Sequence, residues 1–221
     1  MGVPMTRFLR RCLTGCTVLL GAAFLGQGAQ AAPAFVVSNS GNLLLVVNGA
    51  SGPDFDIVPE GKNGFKITGL GTNPLVAAGD DLGVSFFVAT FRGPAPTSIN
   101  SPPGPGFVPF AFPILGASGT LAGAAGASLG ETIVGQIPPT APNPGPVFTT
   151  GFSISGPGSD SVIFPVGVPF LSILKDINGT GGQVDFVIQS FTVAVPEPAS
   201  LALLGAGLLG LAGLRRRARQ G

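Results

Sequence analysis

Val184-Asp-Phe-Val-Ile-Gln-Ser-Phe-Thr-Val-Ala-Val195 carries a two-residue period. Val184, Phe186 and Ile188 alternate with Asp185 and Gln189, the mark of a strand with one face buried and the other wet. The phase then flips to Phe191, Val193 and Val195. A bulge near Gln189-Ser190 would keep both halves packed inward. Two separate strands are the alternative, but no turn residue stands between the halves.

Upstream, short runs rich in Val, Ile and Phe recur between clusters of Gly, Pro, Asn and Asp. They are Phe35–Val37, Leu43–Val47, Phe65–Thr68, Val84–Phe91, Glu131–Ile137, Phe148–Ile154 and Val162–Val168. No window holds a long 3.6-residue period. The pattern predicts an all-β fold, a single β-sandwich or jelly-roll-like domain. Asn178-Gly179 reads as a hairpin turn. The proline-rich stretches Gly93–Pro109 and Pro138–Pro146 read as exposed extended loops. Gly116–Gly130, almost all Gly, Ala, Ser and Leu, fits either a loop or a weak helix. Gly64-Phe-Lys-Ile-Thr-Gly-Leu-Gly71 recurs as Gly151-Phe-Ser-Ile-Ser-Gly-Pro-Gly158. A pair of similar strand–turn units, or chance in a Gly-rich chain, accounts for it equally.

Composition narrows the function classes. Gly (36) and Pro (22) make about a quarter of the 221 residues, yet 45% are hydrophobic and only 10% charged, so the chain collapses rather than staying disordered. There is no His, Trp or Tyr, and the two Cys stand at positions 12 and 16. Most metal sites, His-based triads, thiol catalysis and disulfide scaffolds are thereby excluded from the middle of the chain, and no cofactor is expected. Residues 32–195 hold four bases (Lys62, Lys66, Arg92, Lys175) against nine acids. A nucleic-acid partner is not expected for so acidic a body.

The remaining basic residues gather at the two ends. Arg7, Arg10 and Arg11 precede the apolar run Cys12–Gly26, and Ala29-Gln30-Ala31 supplies small residues at −3 and −1. Residues 1–31 therefore read as a secretory signal peptide cut after Ala31, with Ala29 and Ala31 recognised by signal peptidase after Sec export. A buried N-terminal helix is one alternative. A lipoprotein signal at Leu13-Thr14-Gly15-Cys16 is another, although most of the apolar run follows Cys16. At the other end Leu201–Leu214 carries no charge and runs straight into Arg215, Arg216, Arg217 and Arg219. As a helix it rises about 21 Å, against a hydrocarbon core of about 30 Å. Ala199, Ser200 and snorkelling arginines bring it close to spanning. The arginines then act as a membrane stop on the cytoplasmic side, leaving the acidic body exported. The small residues Ala202, Ala206, Gly210 and Gly213 could admit a second helix, or merely keep the segment low in bulk.

Between body and helix stands Val195-Pro196-Glu197-Pro198-Ala199-Ser200. Two prolines forbid helix and hold Glu197 on extended backbone, a shape a processing enzyme can grip. This order of Val195, Pro196, Glu197 and Pro198, a short Gly/Ala/Leu helix and a terminal Arg cluster resembles the PEP-CTERM sorting signal. The resemblance covers residues 195–219 only. It implies a Gram-negative bacterium that makes exopolysaccharide. It also implies an exosortase, a membrane-embedded cysteine peptidase, that recognises Pro196, Glu197 and Pro198. The protein would sit transiently in the inner membrane and then reach the cell surface or the extracellular space. The expected division is 1–31 signal peptide, 32–194 exported β-rich body and 195–221 sorting signal.

For the body, the expectation is a non-catalytic surface or matrix protein associated with exopolysaccharide or with its own copies. The alternative is an exported hydrolase of polysaccharide, with or without calcium assistance, using carboxylates such as Asp54/Asp56 or Asp80/Asp81. Clefts for sugars favour Trp and Tyr, which are missing, and the fifteen Phe between residues 32 and 195 suit a core better. Asp54, Asp56 and Glu60 share a strand period, and Asp176-Ile-Asn-Gly-Thr180 begins like a calcium loop. Its twelfth position is Val187 rather than Glu, so no metal site is expected. Asn178-Gly179-Thr180 also fits a glycosylation acceptor, a three-residue pattern of little weight.

Overall fold

Strands with period-2 burial fill the computed structural model, which describes residues 35–96, 105–137 and 145–195. The signal peptide expected over 1–31, the proline motif and the terminal helix lie outside the described residues. Those residues form twelve strands and no helix: β1 (Phe35–Val37), β2 (Leu43–Ser51), β3 (Phe55–Glu60), β4 (Gly64–Gly69), β5 (Asp81–Arg92), β6 (Val108–Pro109), β7 (Ile114–Gly123), β8 (Gly126–Ile137), β9 (Gly145–Ser155), β10 (Gly158–Val168), β11 (Phe170–Gly181) and β12 (Val184–Val193). Two antiparallel sheets result. One runs β1-β2-β5-β11-β8-β9, with β6 beside β5; the other runs β10-β7-β12-β4-β3. The all-β expectation holds, and the two sheets face each other across a shared core.

The core follows from alternation. Leu82, Val84, Phe86 and Val88 of β5 point inward beside Leu171, Ile173 and Ile177 of β11. Facing them are Phe65 and Ile67 of β4, Leu121 of β7, and Val187 and Phe191 of β12. Each such side chain contributes about 1.5–3 kcal/mol on burial. Phe87 and Phe91 lie on the opposite face of β5. There Phe87 stacks on Phe170 (5.5 Å), Phe91 on Phe107 (5.4 Å), and Phe110 meets Phe170 edge-on (5.8 Å). Thr90 anchors this second layer. Its hydroxyl donates to the Phe112 carbonyl (2.7 Å) and accepts from the Phe112 amide (3.1 Å), and its own carbonyl accepts from the Phe110 amide (2.6 Å). Phenylalanine therefore builds two layers, where sequence reasoning expected one core.

Several expectations are corrected. Gly116–Gly130 is neither loop nor helix, because β7 and β8 run through it. Its small residues are there for space. A Cβ on Gly119 would stand 2.6 Å from Cε2 of Phe152, which projects from β9 in the facing sheet. Gly119→Ala should therefore destabilise by about 1–3 kcal/mol through overpacking. In urea melts, adding Phe152→Leu should restore part of the loss.

Asn178-Gly179 is not the hairpin turn: both lie in β11, with Asn178 paired to Asp81 and Ser128. The chain reverses at Gly182-Gln183 instead, crossing from one sheet to the other. Asp176, Asn178 and Thr180 are thus strand residues, and a calcium loop is not formed there. β12 is one strand, but its irregularity sits at Asp185, between Val184 and Phe186, with another at Thr192/Val193, and not at Gln189-Ser190. The inward row is Val187, Gln189 and Phe191. Pro109 and Pro146, expected in loops, belong to β6 and β9. The repeated octapeptides both form a strand leading into a glycine turn, with φ 66° at Gly71 and 76° at Gly156, but they belong to different sheets.

Candidate functional site

β12 carries two features that could serve function: a buried polar cluster along its length, and the exit of the chain at its end. The cluster begins with register. Lys175 of β11 pairs directly with Glu131 of β8 in one sheet. Each occupies an inward position that its strand otherwise gives to apolar residues: Ile173 and Ile177 flank Lys175, Leu129 and Ile133 flank Glu131. From the facing sheet, Gln189 of β12 points at the same spot. Lys175 Nζ donates to Glu131 Oε2 and, at 2.5 Å, to Gln189 Oε1. It also stands 5.9 Å from the Phe86 ring centroid. Lys175 and Gln189 have no solvent exposure, and Glu131 is 5% exposed.

Burial governs the charges. It pushes the Glu131 carboxyl above its ordinary 4.5, opposed by the Lys175 charge and by the hydrogen bond from Lys175. It pulls the Lys175 ammonium below its ordinary 10.5, opposed by Glu131. Both shifts favour the neutral amine beside the neutral acid. Two polar atoms of the cluster, Glu131 Oε1 and Gln189 Nε2, have no hydrogen-bond partner.

Sequence reasoning counted Lys175 and Glu131 only as charges and placed Gln189 at a bulge. The signal was there to be read: a lone charge in the apolar phase of Leu171-x-Ile173-x-Lys175-x-Ile177, matched by Leu129-x-Glu131-x-Ile133. What it could not show was that the two strands are neighbours in one register.

The carboxylates proposed for hydrolysis or calcium lie elsewhere. Asp54, Asp56, Glu60, Asp80 and Asp81 are all exposed. Asp56 and Glu60 do share the outer face of β3, an edge strand of one sheet, whereas Asp81 opens β5 in the other. Asp56 Oδ1 is occupied by its neighbour's amide, from Ile57 at 2.8 Å. Among the described residues no three acids, His or Cys converge as a metal site would require.

At the chain exit, Val193 is the last residue of β12 and pairs with Ile114. The Ala194 amide still donates to the Pro113 carbonyl (3.0 Å), and Val195 is 41% exposed. Sheet pairing thus ends where the proline motif starts. Residues 194–217 match the PEP-CTERM protein-sorting motif. The chain carries a PEP-CTERM sorting signal. The signal implies an exported protein, targeted by an exosortase and passing through the membrane before processing. Among the curated proteins, none matches this chain. Of the residues assigned to the signal, Val195 is the one described. Pro196, Glu197, Pro198, Arg215, Arg216, Arg217 and Arg219 lie outside the described residues, as do Ala29 and Ala31 at the other end.

Proposed function

We propose that the sandwich is the exported, non-catalytic body of a cell-surface or matrix protein, held with exopolysaccharide or with its own copies. A signal peptidase cut after Ala31 frees one end, and an exosortase cut beside Pro196, Glu197 and Pro198 frees the other. The observation that carries the reading is the PEP-CTERM match beginning at Ala194, directly after β12. Processing there removes the signal and leaves all twelve strands whole. Arg215–Arg219 keep the far end of the precursor cytoplasmic until the cut is made.

The surface of the body fits assembly better than chemistry. Apart from Glu131, its acids are exposed and spread over separate elements, and its low charge gives weak colloidal repulsion. Edge strand β10 presents Ile163 at 87% exposure, with Val166 also exposed beside it. The test is a chain with Asp54, Asp56, Asp80 and Asp81 all changed to Asn. Its surface attachment should equal that of the parent. A parent that hydrolyses cell-surface polysaccharide, with the activity lost in the variant, would sink this reading in favour of a hydrolase.

A further inference from the structure

The Lys175–Glu131–Gln189 cluster is an unusual way to fill a sandwich core. A buried ion pair contributes little net stability against apolar packing of the same volume. This one also leaves a carboxyl oxygen and an amide nitrogen without partners. The three groups nevertheless stand in a definite arrangement. A primary amine lies 2.5 Å from the oxygen of a carboxamide, and the carboxamide carbon is one carbonyl bond beyond that oxygen. A carboxyl group touches the amine through one oxygen and leaves the other free. Water is excluded, so hydrolysis does not compete. The amine and amide come from opposite sheets, and each is fixed by strand register on both sides.

We propose that Lys175 and Gln189 join through an intramolecular amide bond, with Glu131 carrying the proton, so that a covalent tie links the two sheets. The Lys175 nitrogen lone pair forms a bond to Cδ of Gln189. Glu131 takes a proton from Nζ and delivers one to Nε2. The Cδ–Nε2 bond breaks, ammonia leaves, and the Glu131 carboxyl is restored. No oxidant, metal or nucleotide is needed, since one amide replaces another and no atom changes oxidation state. Burial assists, because it disfavours the charged form of each group and so favours the free amine as nucleophile and the protonated carboxyl as donor.

Gln189 is the acyl partner rather than Glu131 for two reasons. The Glu131 carboxyl is the group that carries the proton, which leaves the Gln189 carboxamide as the acyl group, with ammonia as its leaving group. The two unpartnered atoms, Glu131 Oε1 and Gln189 Nε2, are also those between which the leaving proton has to pass. The cluster is built from opposed strands, so the reaction waits for folding to bring it together. An exported body without cysteine would thereby gain the cross-link that a disulfide gives other secreted proteins.

Peptide masses test it. Full-length chain is purified folded, denatured, and cut after acidic residues, which opens the backbone at Asp176 and at Asp185. The peptide ending at Asp176 and the peptide starting at Phe186 should stay joined, short of their summed mass by one ammonia. Trypsin should fail to cut at Lys175. Lys175→Arg and Glu131→Gln should release the two peptides separately at full mass. Separate full-mass peptides from the folded parent overturn the proposal, and that result needs no variant to fold. The Lys175 peptide joined instead to the peptide carrying Glu131, short by one water, overturns the choice of Gln189 and names Glu131 as the acyl group. A joined pair in Glu131→Gln removes Glu131 from the chemistry.

Discussion

A chain with Pro196, Glu197 and Pro198 all changed to Ala should be exported normally and then stay in the membrane as the unprocessed form. The expected effect is near-complete loss of the released species. Proline fixes φ and lacks the amide a helix needs, whereas alanine favours helix, so the three substitutions remove the bias against helix in this stretch. The scissile region would then become helical and lose the shape the exosortase grips. The sandwich itself should be untouched, since its last sheet hydrogen bond is made by Ala194. Membrane fractionation and the intact mass of the mature parent check this together. The parent's C-terminus should fall between Val193 and Ala199. Normal release of the triple variant would contradict the processing scheme while leaving the fold unaffected.

Removing one member of the buried pair should have the largest effect on stability. Glu131→Ala leaves the Lys175 nitrogen enclosed without its counter-charge, and such losses cost about 3–5 kcal/mol. Against a total stability of about 5–15 kcal/mol for a domain, that is a large fraction. Lys175→Met strands the opposite charge and carries a pH signature. Burial already pushes the Glu131 carboxyl above 4.5, and Lys175 is the main influence holding it down. Without Lys175 the folded protein favours the protonated acid still more. A carboxyl raised in the folded state contributes stability below its unfolded pKa and loses it as pH rises through the folded value. In a parent whose Lys175 amine is free, the Lys175→Met deficit should therefore be small below pH 4.5 and greatest at neutrality and above, while a cross-linked parent adds a deficit that does not vary with pH. Urea melts at pH 4 and pH 7 read this directly. A deficit that grows on acidification would show that Glu131 is not the group left uncompensated. Combining Lys175→Met with Glu131→Leu should restore much of the loss, because the two sites share one network and do not add.

How far the sequence reaches depends on whether the information is local. The class of fold was legible, because short apolar runs such as Leu43–Val47 and Val84–Phe91, and alternation in Val184–Val195, are properties of neighbours along the chain. The bulge was misplaced because alternation alone treats Gln189 as a wet residue, when Lys175 across the core supplies its partner. β11 was overlooked for a related reason. Lys175, Asp176 and Asn178 break up its apolar pattern, and Asn178-Gly179 imitates a turn that its two neighbouring strands override. Gly116–Gly130 was undecidable because its glycines answer to rings in the facing sheet, Phe152 above all, and not to their own backbone preferences.

The sequence by itself determined the sorting signal, since proline, an apolar run and terminal arginines act through local stiffness, hydropathy and charge. It also determined that the body is built of strands. Only the tertiary structure decided which strands are neighbours, and with them the one place among the described residues where charge enters the core. Glu131, Lys175 and Gln189 come from three strands and two sheets, so no spacing along the chain encodes their meeting. Their chemistry depends on the dry interior that exists once the sheets have closed.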